Sequence, residues 1–324
     1  MITKLLGTAV CLLFLGLSPA HAQQYPTKVI SMVVPFAAGG PTDTVARLTS
    51  QAMGASLKQQ IIVENVGGAG GTIAASRVAK AAPDGYTILI HHIGHSTAPA
   101  LYRKLPYDTI NDFEPIGLIN ETPMTLVARK DFPPKDLKEL IAYVKANKDK
   151  VTYANAGLGA ASHLCGMLFM TAIQTDLTTV PYKGTGPAMN DLLGGQVDFM
   201  CDQSTNTTSQ IKAERIKVYG VTIKKRVPSL PNIPTMDEAG LPGFEVSVWH
   251  GLYAPKGTPR PVIDTLAKAL QAALKDATFR QRNAELGAEV VGEESARPEA
   301  LRARLKTEID KWGPIIKKAG VYAD

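Results

Sequence analysis

Short apolar runs alternate along this chain with longer segments in which apolar residues recur every three or four positions. The runs Val29–Pro35, Ile61–Val66, Tyr86–His91, Val151–Ala154, Thr179–Tyr182, Val197–Cys201 and Ile216–Thr222 predict strands. Between them Thr42–Leu57, the stretch following Gly71 to about Ala81, Asp136–Ala146, Ser162–Ile173 and Gly186–Leu193 carry helical spacing. This order predicts an α/β fold with a mostly parallel sheet and helices on both faces. Continuous apolar strands fit a sheet buried on both sides. Thr125–Arg129 opens a second α/β unit, and Phe244–Tyr253 is a long apolar strand. Pro261–Leu274, Phe279–Leu286 and Pro298–Lys318 read as helices.

The pattern divides the chain into two lobes. Residues 23–124 and 226–324 form lobe one, and residues 125–225 form lobe two. The Pro-rich stretch Val227–Pro242 reads as a connection. A chain that crosses twice between α/β lobes makes a hinge, and the hinge makes a ligand cleft.

Residues 1–22 read as a cleaved signal peptide. Lys4 precedes the apolar run Leu5–Leu17, Pro19 ends that run, and Ala20-His21-Ala22 fits a cleavage site before Gln23. The run is too short to span a bilayer, which takes about 20 apolar residues. The expected location is therefore periplasmic. The remainder, about 300 residues, is the size at which single cores split into domains.

Of 324 residues, 35 are basic and 29 acidic, a net charge of +6 spread along the chain without a basic stripe, which argues against a nucleic-acid partner. Cys165 and Cys201 lie beyond the leader. An exported compartment permits a disulfide. A core of this size needs no staple, so they are read as buried free thiols, with pairing left open.

Two segments carry the candidate chemistry. Pro35-Phe36-Ala37-Ala38-Gly39-Gly40-Pro41-Thr42-Asp43 follows the first strand and opens the first helix. Ala156-Gly157-Leu158-Gly159-Ala160-Ala161-Ser162 does the same in the other lobe. Bare backbone ahead of a helix N-terminus favours anions through N–H groups and the helix dipole. Open α/β sheets bind ligands at these strand ends. Neither segment contains Lys or Arg, so backbone N–H groups are expected to hold the ligand. Phe36, Ala37, Ala38, Gly40, Thr42 and Asp43 are the candidates in lobe one; Ala156, Gly157, Gly159, Ala160 and Ser162 are those in lobe two. Asp43 also reads as a first-turn acid that favours its own helix dipole.

Specificity is expected from side chains beyond these loops. His92, Ile93 and Ser96 follow the third strand, and Asp202 and Ser204 end a lobe-two strand. A His donor suits a second carboxylate or a hydroxyl. Asp202 suits a ligand ammonium or hydroxyl, or else orders its loop. His95 reads as structural. His91 and His92 point to opposite faces of a strand, so no metal site is assigned. Gly68-Ala69-Gly70 starts like a dinucleotide loop, but Ile73 occupies the third glycine position. There is no Gly-x-Ser-x-Gly elbow, and Ser162 and His163 diverge on a helix, so no catalytic residue and no cofactor is assigned.

Several motifs occur together in a recognisable order: Pro35–Asp43, Val63-Glu64-Asn65 with Gly68-Ala69-Gly70-Gly71, Pro83-Asp84-Gly85-Tyr86, Pro181-Tyr182-Lys183-Gly184, and Pro234-Thr235 with Glu238-Ala239-Gly240. Together they resemble the Bug family, the TctC-like substrate-binding proteins of tripartite tricarboxylate transporters. The resemblance implies a type II periplasmic-binding-protein fold closed by a double-crossing hinge. It also implies a monomeric receptor that holds a small organic carboxylate, mono- or dicarboxylic, between the two loops, aided by bridging waters. The partner would be membrane transporter subunits, or a sensor kinase to which the ligand is presented. The family often has Pro where this chain has Ala37 or Ala38. An exported enzyme on the same frame is the competing reading, and it lacks a nucleophile–base or metal constellation.

Overall fold

The computed structural model describes residues 25–323, and the leader assigned to residues 1–22 lies outside them. The chain opens with β1 (Ile30–Val34), α1 (Pro41–Leu57), β2 (Ile61–Asn65), α2 (Thr72–Ala79), β3 (Thr87–His92) and α3 (Gly94–Leu101). Then comes β4 (Phe113–Arg129), a strand of 17 residues. The second lobe holds α4 (Leu137–Ala146), β5 (Thr152–Asn155), α5 (Ala161–Ile173), β6 (Thr178–Pro181), α6 (Thr185–Leu193), β7 (Phe199–Gln203), α7 (Ser204–Lys212) and β8 (Ile216–Val221). The chain returns through β9 (Ser247–Pro255), α8 (Arg260–Lys275), α9 (Ala277–Glu285), β10 (Glu289–Val290) and α10 (Pro298–Ala319).

The strands form one curled ten-stranded sheet in the order β2-β1-β3-β9-β4-β7-β5-β6, with β8 and β10 also paired to β4. Its pairing is mixed, which corrects the expectation of a mostly parallel sheet. The wings are parallel, with β1 against β2 and β3, and β5 against β6 and β7. The connecting strands β4 and β9 run antiparallel to each other and to their neighbours. A strand that leaves one lobe and another that returns must oppose one another.

β4 belongs to both halves. Its residues from Phe113 to Pro123 pair with β9, and those from Met124 onward pair with β7 and β8. The sequence pattern reveals only the second half of this strand, because Pro115, Asn120, Glu121 and Pro123 interrupt the apolar run of the first.

Local chemistry sets the helix starts. Gly40 keeps an extended backbone (φ −89°, ψ 177°) and Pro41 fills the first turn of α1. Asp136 caps α4, its carboxylate accepting the Glu139 N–H at 2.8 Å. Helix α5 lies on β7, and Cys165 of α5 is bonded to Cys201 of β7 with a Cα separation of 6.1 Å. The two cysteines are therefore a disulfide, not free thiols. Packing a helix on the neighbouring strand of its own lobe brings their backbones within bridging distance.

Candidate ligand-binding site

The starts of α1 and α5 face one another across the gap between the lobes. A narrow cavity of about 10 Å³, room for roughly one water molecule, lies between them. Phe36, Pro41, Thr42 and His92 line it from lobe one. Ala156, Ala160, Ala161, Ser162, Thr185, Asp202 and Gln203 line it from lobe two. No Lys or Arg is among them. Three larger hollows, one beside α1 and β2, one behind the connecting strands and one between the starts of α8 and α10, contain neither helix start.

The two loops spend much of their backbone on themselves. Ala156 N–H donates to Ser162 Oγ at 2.8 Å, and Gly157 N–H to Asn155 Oδ1 at 2.8 Å. Gly159 N–H reaches His163 Nδ1 at 3.4 Å, and Ala160 N–H donates to the Gly157 carbonyl at 3.1 Å. Gly157 and Gly159 take φ of 99° and 88°, a shape that a residue with a Cβ resists. Gly39 N–H donates to Asp43, and Ala37 N–H donates to the Lys183 carbonyl of the other lobe at 2.8 Å. The donors left for an anion are those of the first turns of α1 and α5, which have no intrahelical partner.

Asp43 is committed elsewhere. Its carboxylate accepts from Gly39 N–H, Asn65 Nδ2 and the Arg47 guanidinium, each at 3.0 Å. Burial alone would raise this carboxyl, but hydrogen bonds from Arg47, Gly39 and Asn65 hold it below its ordinary value. It braces the loop and does not line the cavity.

His92 stacks on Phe36 with ring centroids 4.7 Å apart. Its Nδ1 accepts the Gly94 N–H at 2.8 Å, so the neutral ring carries its proton on Nε2. Burial lowers its pKa to about 4. The ring thus remains a neutral donor at the pH where carboxylates are ionised. Thr42 Oγ1 lies 3.3 Å from His250 Nε2, and His250 Nδ1 lies 2.9 Å from Asn120 Oδ1. Asn120 in turn donates to Asn283 at 2.8 Å. That order makes His250 Nδ1 the donor and Nε2 the acceptor, so the Thr42 hydroxyl gives its proton inward and offers lone pairs to the cavity.

Asp202 is buried, and desolvation raises its pKa to about 6, with Asn206, Thr185 and the Gln203 N–H partly offsetting the rise. Gln203 N–H donates to it at 2.8 Å and Asn206 Nδ2 at 2.6 Å. The Thr185 hydroxyl lies near enough to help, yet makes no well-aligned hydrogen bond.

Of the residues singled out from sequence, Phe36, Thr42, His92, Ala156, Ala160, Ser162 and Asp202 come together around the cavity. Others stand apart from it. Ile93 is packed in the core, and Ser96 Oγ donates to the Ile93 carbonyl at 2.6 Å. The Ser204 hydroxyl is buried beside Gly287, away from the cavity. Ala37, Ala38, Gly40, Gly157 and Gly159 form the rim where the lobes touch. Pro41 and Ala161 lie within the two predicted segments and Gln203 within the predicted Asp202–Ser204 strand end, though none was named as a contact; sequence reasoning missed Thr185. Thr185 had a signal: Gly184-Thr185-Gly186 is a third strand-to-helix glycine loop, after β6. Among the described residues no group of His, Cys, Asp and Glu could hold a metal ion.

This arrangement can be set beside known proteins. Residues 45–321 match the tripartite tricarboxylate transporter family receptor. The chain belongs to this family. The receptor chain is 57% identical to the periplasmic binding protein BugD, covering 92% of this chain and 99% of that one, with a TM-score of 0.90. MatC of Rhodopseudomonas palustris, solved with bound malate, is 45% identical over 90% of this chain and all of its own, with a TM-score of 0.87. A further R. palustris protein, solved with adipate, is 34% identical over 92% of this chain and 99% of its own, also with a TM-score of 0.87. The Bug-family resemblance drawn from the motifs is thereby established. The receptor is a solute-binding protein and not an enzyme, as its family and these relatives are.

Proposed function

We propose that the protein is a monomeric periplasmic receptor that captures a small mono- or dicarboxylic acid and delivers it to the membrane subunits of a tripartite tricarboxylate transporter. Lobe one, in this reading, is residues 23–124 and 226–324, and lobe two is residues 125–225. The observation that carries the reading is the facing pair of helix starts, α1 and α5, around a cavity lined without Lys or Arg. Donors fixed in the backbone suit a carboxylate, and helix dipoles favour its charge. His92 Nε2 supplies a side-chain donor, placed for a second carboxylate or a hydroxyl. Malate and adipate in related structures fit that class.

A thermal-shift and calorimetric screen of organic acids, with malate and adipate included, tests this. At a ligand concentration 100-fold above Kd, stability should rise by about 2.7 kcal/mol. A full panel of acids without a shift, or hits confined to sugars, would refute the carboxylate reading.

A further inference from the structure

The lobes meet backbone to backbone along a line of glycines beside the cavity. A Cβ added at Gly186, the second residue of α6, would lie 2.8 Å from the Ala38 carbonyl oxygen, 2.9 Å from Gly40 N and 3.0 Å from Gly39 C. All three belong to the opposite lobe. At Gly67 a Cβ would lie 2.7 Å from the Lys183 carbonyl oxygen, and at Gly70 it would overlap the Leu158 carbonyl. Three hydrogen bonds cross the same seam. Ala37 N–H donates to Lys183 O at 2.8 Å, Thr97 Oγ1 to Gly159 O at 3.0 Å and Tyr102 OH to Leu158 O at 3.0 Å. Next to Gly186, the buried Thr185 hydroxyl lines the cavity beside Asp202 without a well-aligned hydrogen bond, and the side-chain amide oxygen Oε1 of Gln203 has no hydrogen-bond partner there. With the seam shut, they face the lobe-one wall of Phe36, Pro41, Thr42 and His92.

We infer that Gly186, supported by Gly67 and Gly70, is a positioning residue for ligand capture: its missing Cβ lets the lobes close far enough to complete the cavity. A methyl group there meets backbone, not the movable end of a side chain, so no rotamer change relieves it. The lobes must stand apart, and every donor on one wall then misses its mark on a ligand held by the other. Gly186 does not adopt a left-handed conformation. Alanine also suits a helix better than glycine does. The substitution therefore spares the open protein and penalises only closure. This inference rests on the receptor reading above, because closure matters only if the cleft captures a ligand.

The test compares wild type with Gly186→Ala. Gly313→Ala serves as control, since its added Cβ has nothing within 4 Å. The probes are L-malate and adipate. The Gly186→Ala protein should melt, without ligand, at or above the wild-type temperature. It should bind each acid at least tenfold more weakly and show no ligand-induced compaction in small-angle scattering, while Gly313→Ala behaves as wild type. Native affinity and full compaction in Gly186→Ala would overturn the inference. So would a lowered ligand-free melting temperature, which would assign the glycine to the folding of its own lobe. If wild type binds neither acid, the carboxylate reading loses its support, and the seam is judged by hydrogen exchange at the Ala37 amide. Slower exchange in wild type than in Gly186→Ala sustains the inference, and equal exchange overturns it.

Discussion

His92 and Asp202 face one cavity and are displaced in opposite directions by the same cause. Burial lowers the ring to about 4 and raises the carboxyl to about 6. Both shifts favour the neutral form, as loss of water must. Replacing His92 with Ala removes a donor that a ligand hydroxyl or second carboxylate would use. Leaving such a group unpaired costs about 1–3 kcal/mol. The ranking of acids measured by calorimetry should therefore change, with a loss of roughly tenfold to a hundredfold for acids that reach the ring. An unchanged ranking would remove His92 from the specificity set. Asp202 gives a pH prediction. Above about 6 it is ionised and repels an anionic ligand; below that value it is neutral. Affinity for a dicarboxylate should rise as pH falls from 7.5 to 5.5, and Asp202→Asn should abolish that dependence. A flat wild-type profile would show that the ligand lies beyond the reach of Asp202.

At the scale of elements, β3, α3 and β9 bury His91, His92, His95 and His250 together. All have pKa values lowered, first by desolvation. With native values below the unfolded 6.5, the unfolded chain binds more protons than the native one as pH drops. Stability is therefore present above about 6.5 and falls as pH descends toward the native values near 4 for His92 and 3 for His95. His95 packs against the rings of Tyr107, Phe113 and Tyr253. Phe in its place keeps those contacts without a titrating nitrogen. Melting temperatures of His95→Phe should fall less than those of wild type between pH 7.5 and 5. An equal fall would exclude His95 as a source of acid sensitivity. The disulfide works at this scale too. It closes a segment with a sequence separation of 36. Chain-entropy reasoning gives a loop of that length about 4 kcal/mol. The Cys165→Ala/Cys201→Ala protein should melt several degrees lower, and an unchanged melting temperature would contradict that account.

At the scale of the whole molecule, most of the frame was legible because its strands are short, apolar and punctuated by glycine and proline. What escaped has particular causes. Helix α3 contains Gly94 and Pro99, both poor signals for a helix. Helix α7 is rich in Ser, Thr and Asn, and reads as a loop by composition. The lining of the candidate cavity was legible where a strand, a glycine loop and a helix follow each other in sequence, as at Phe36, Thr42, Ala160 and Ser162. It was not legible where a wall depends on how the lobes meet. The bond from Ala37 N–H to the Lys183 carbonyl joins residues far apart in sequence, and no local pattern encodes it.

The handover within β4 bears on how fast such a molecule can open. Pro123 has no N–H, and the strand changes partner between Pro123 and Met124. A bend at that junction leaves the β9 ladder intact on one side and the β7 and β8 ladders on the other. Opening therefore resembles the turning of a page more than the tearing of one. Motion that breaks no ladder belongs to the microsecond-to-millisecond range of domain hinges, well ahead of unfolding. Relaxation-dispersion measurements on amides flanking Pro123 should find exchange there, with ladder amides inside each lobe protected throughout. A receptor built this way can release its cargo many times without loosening either half of its core.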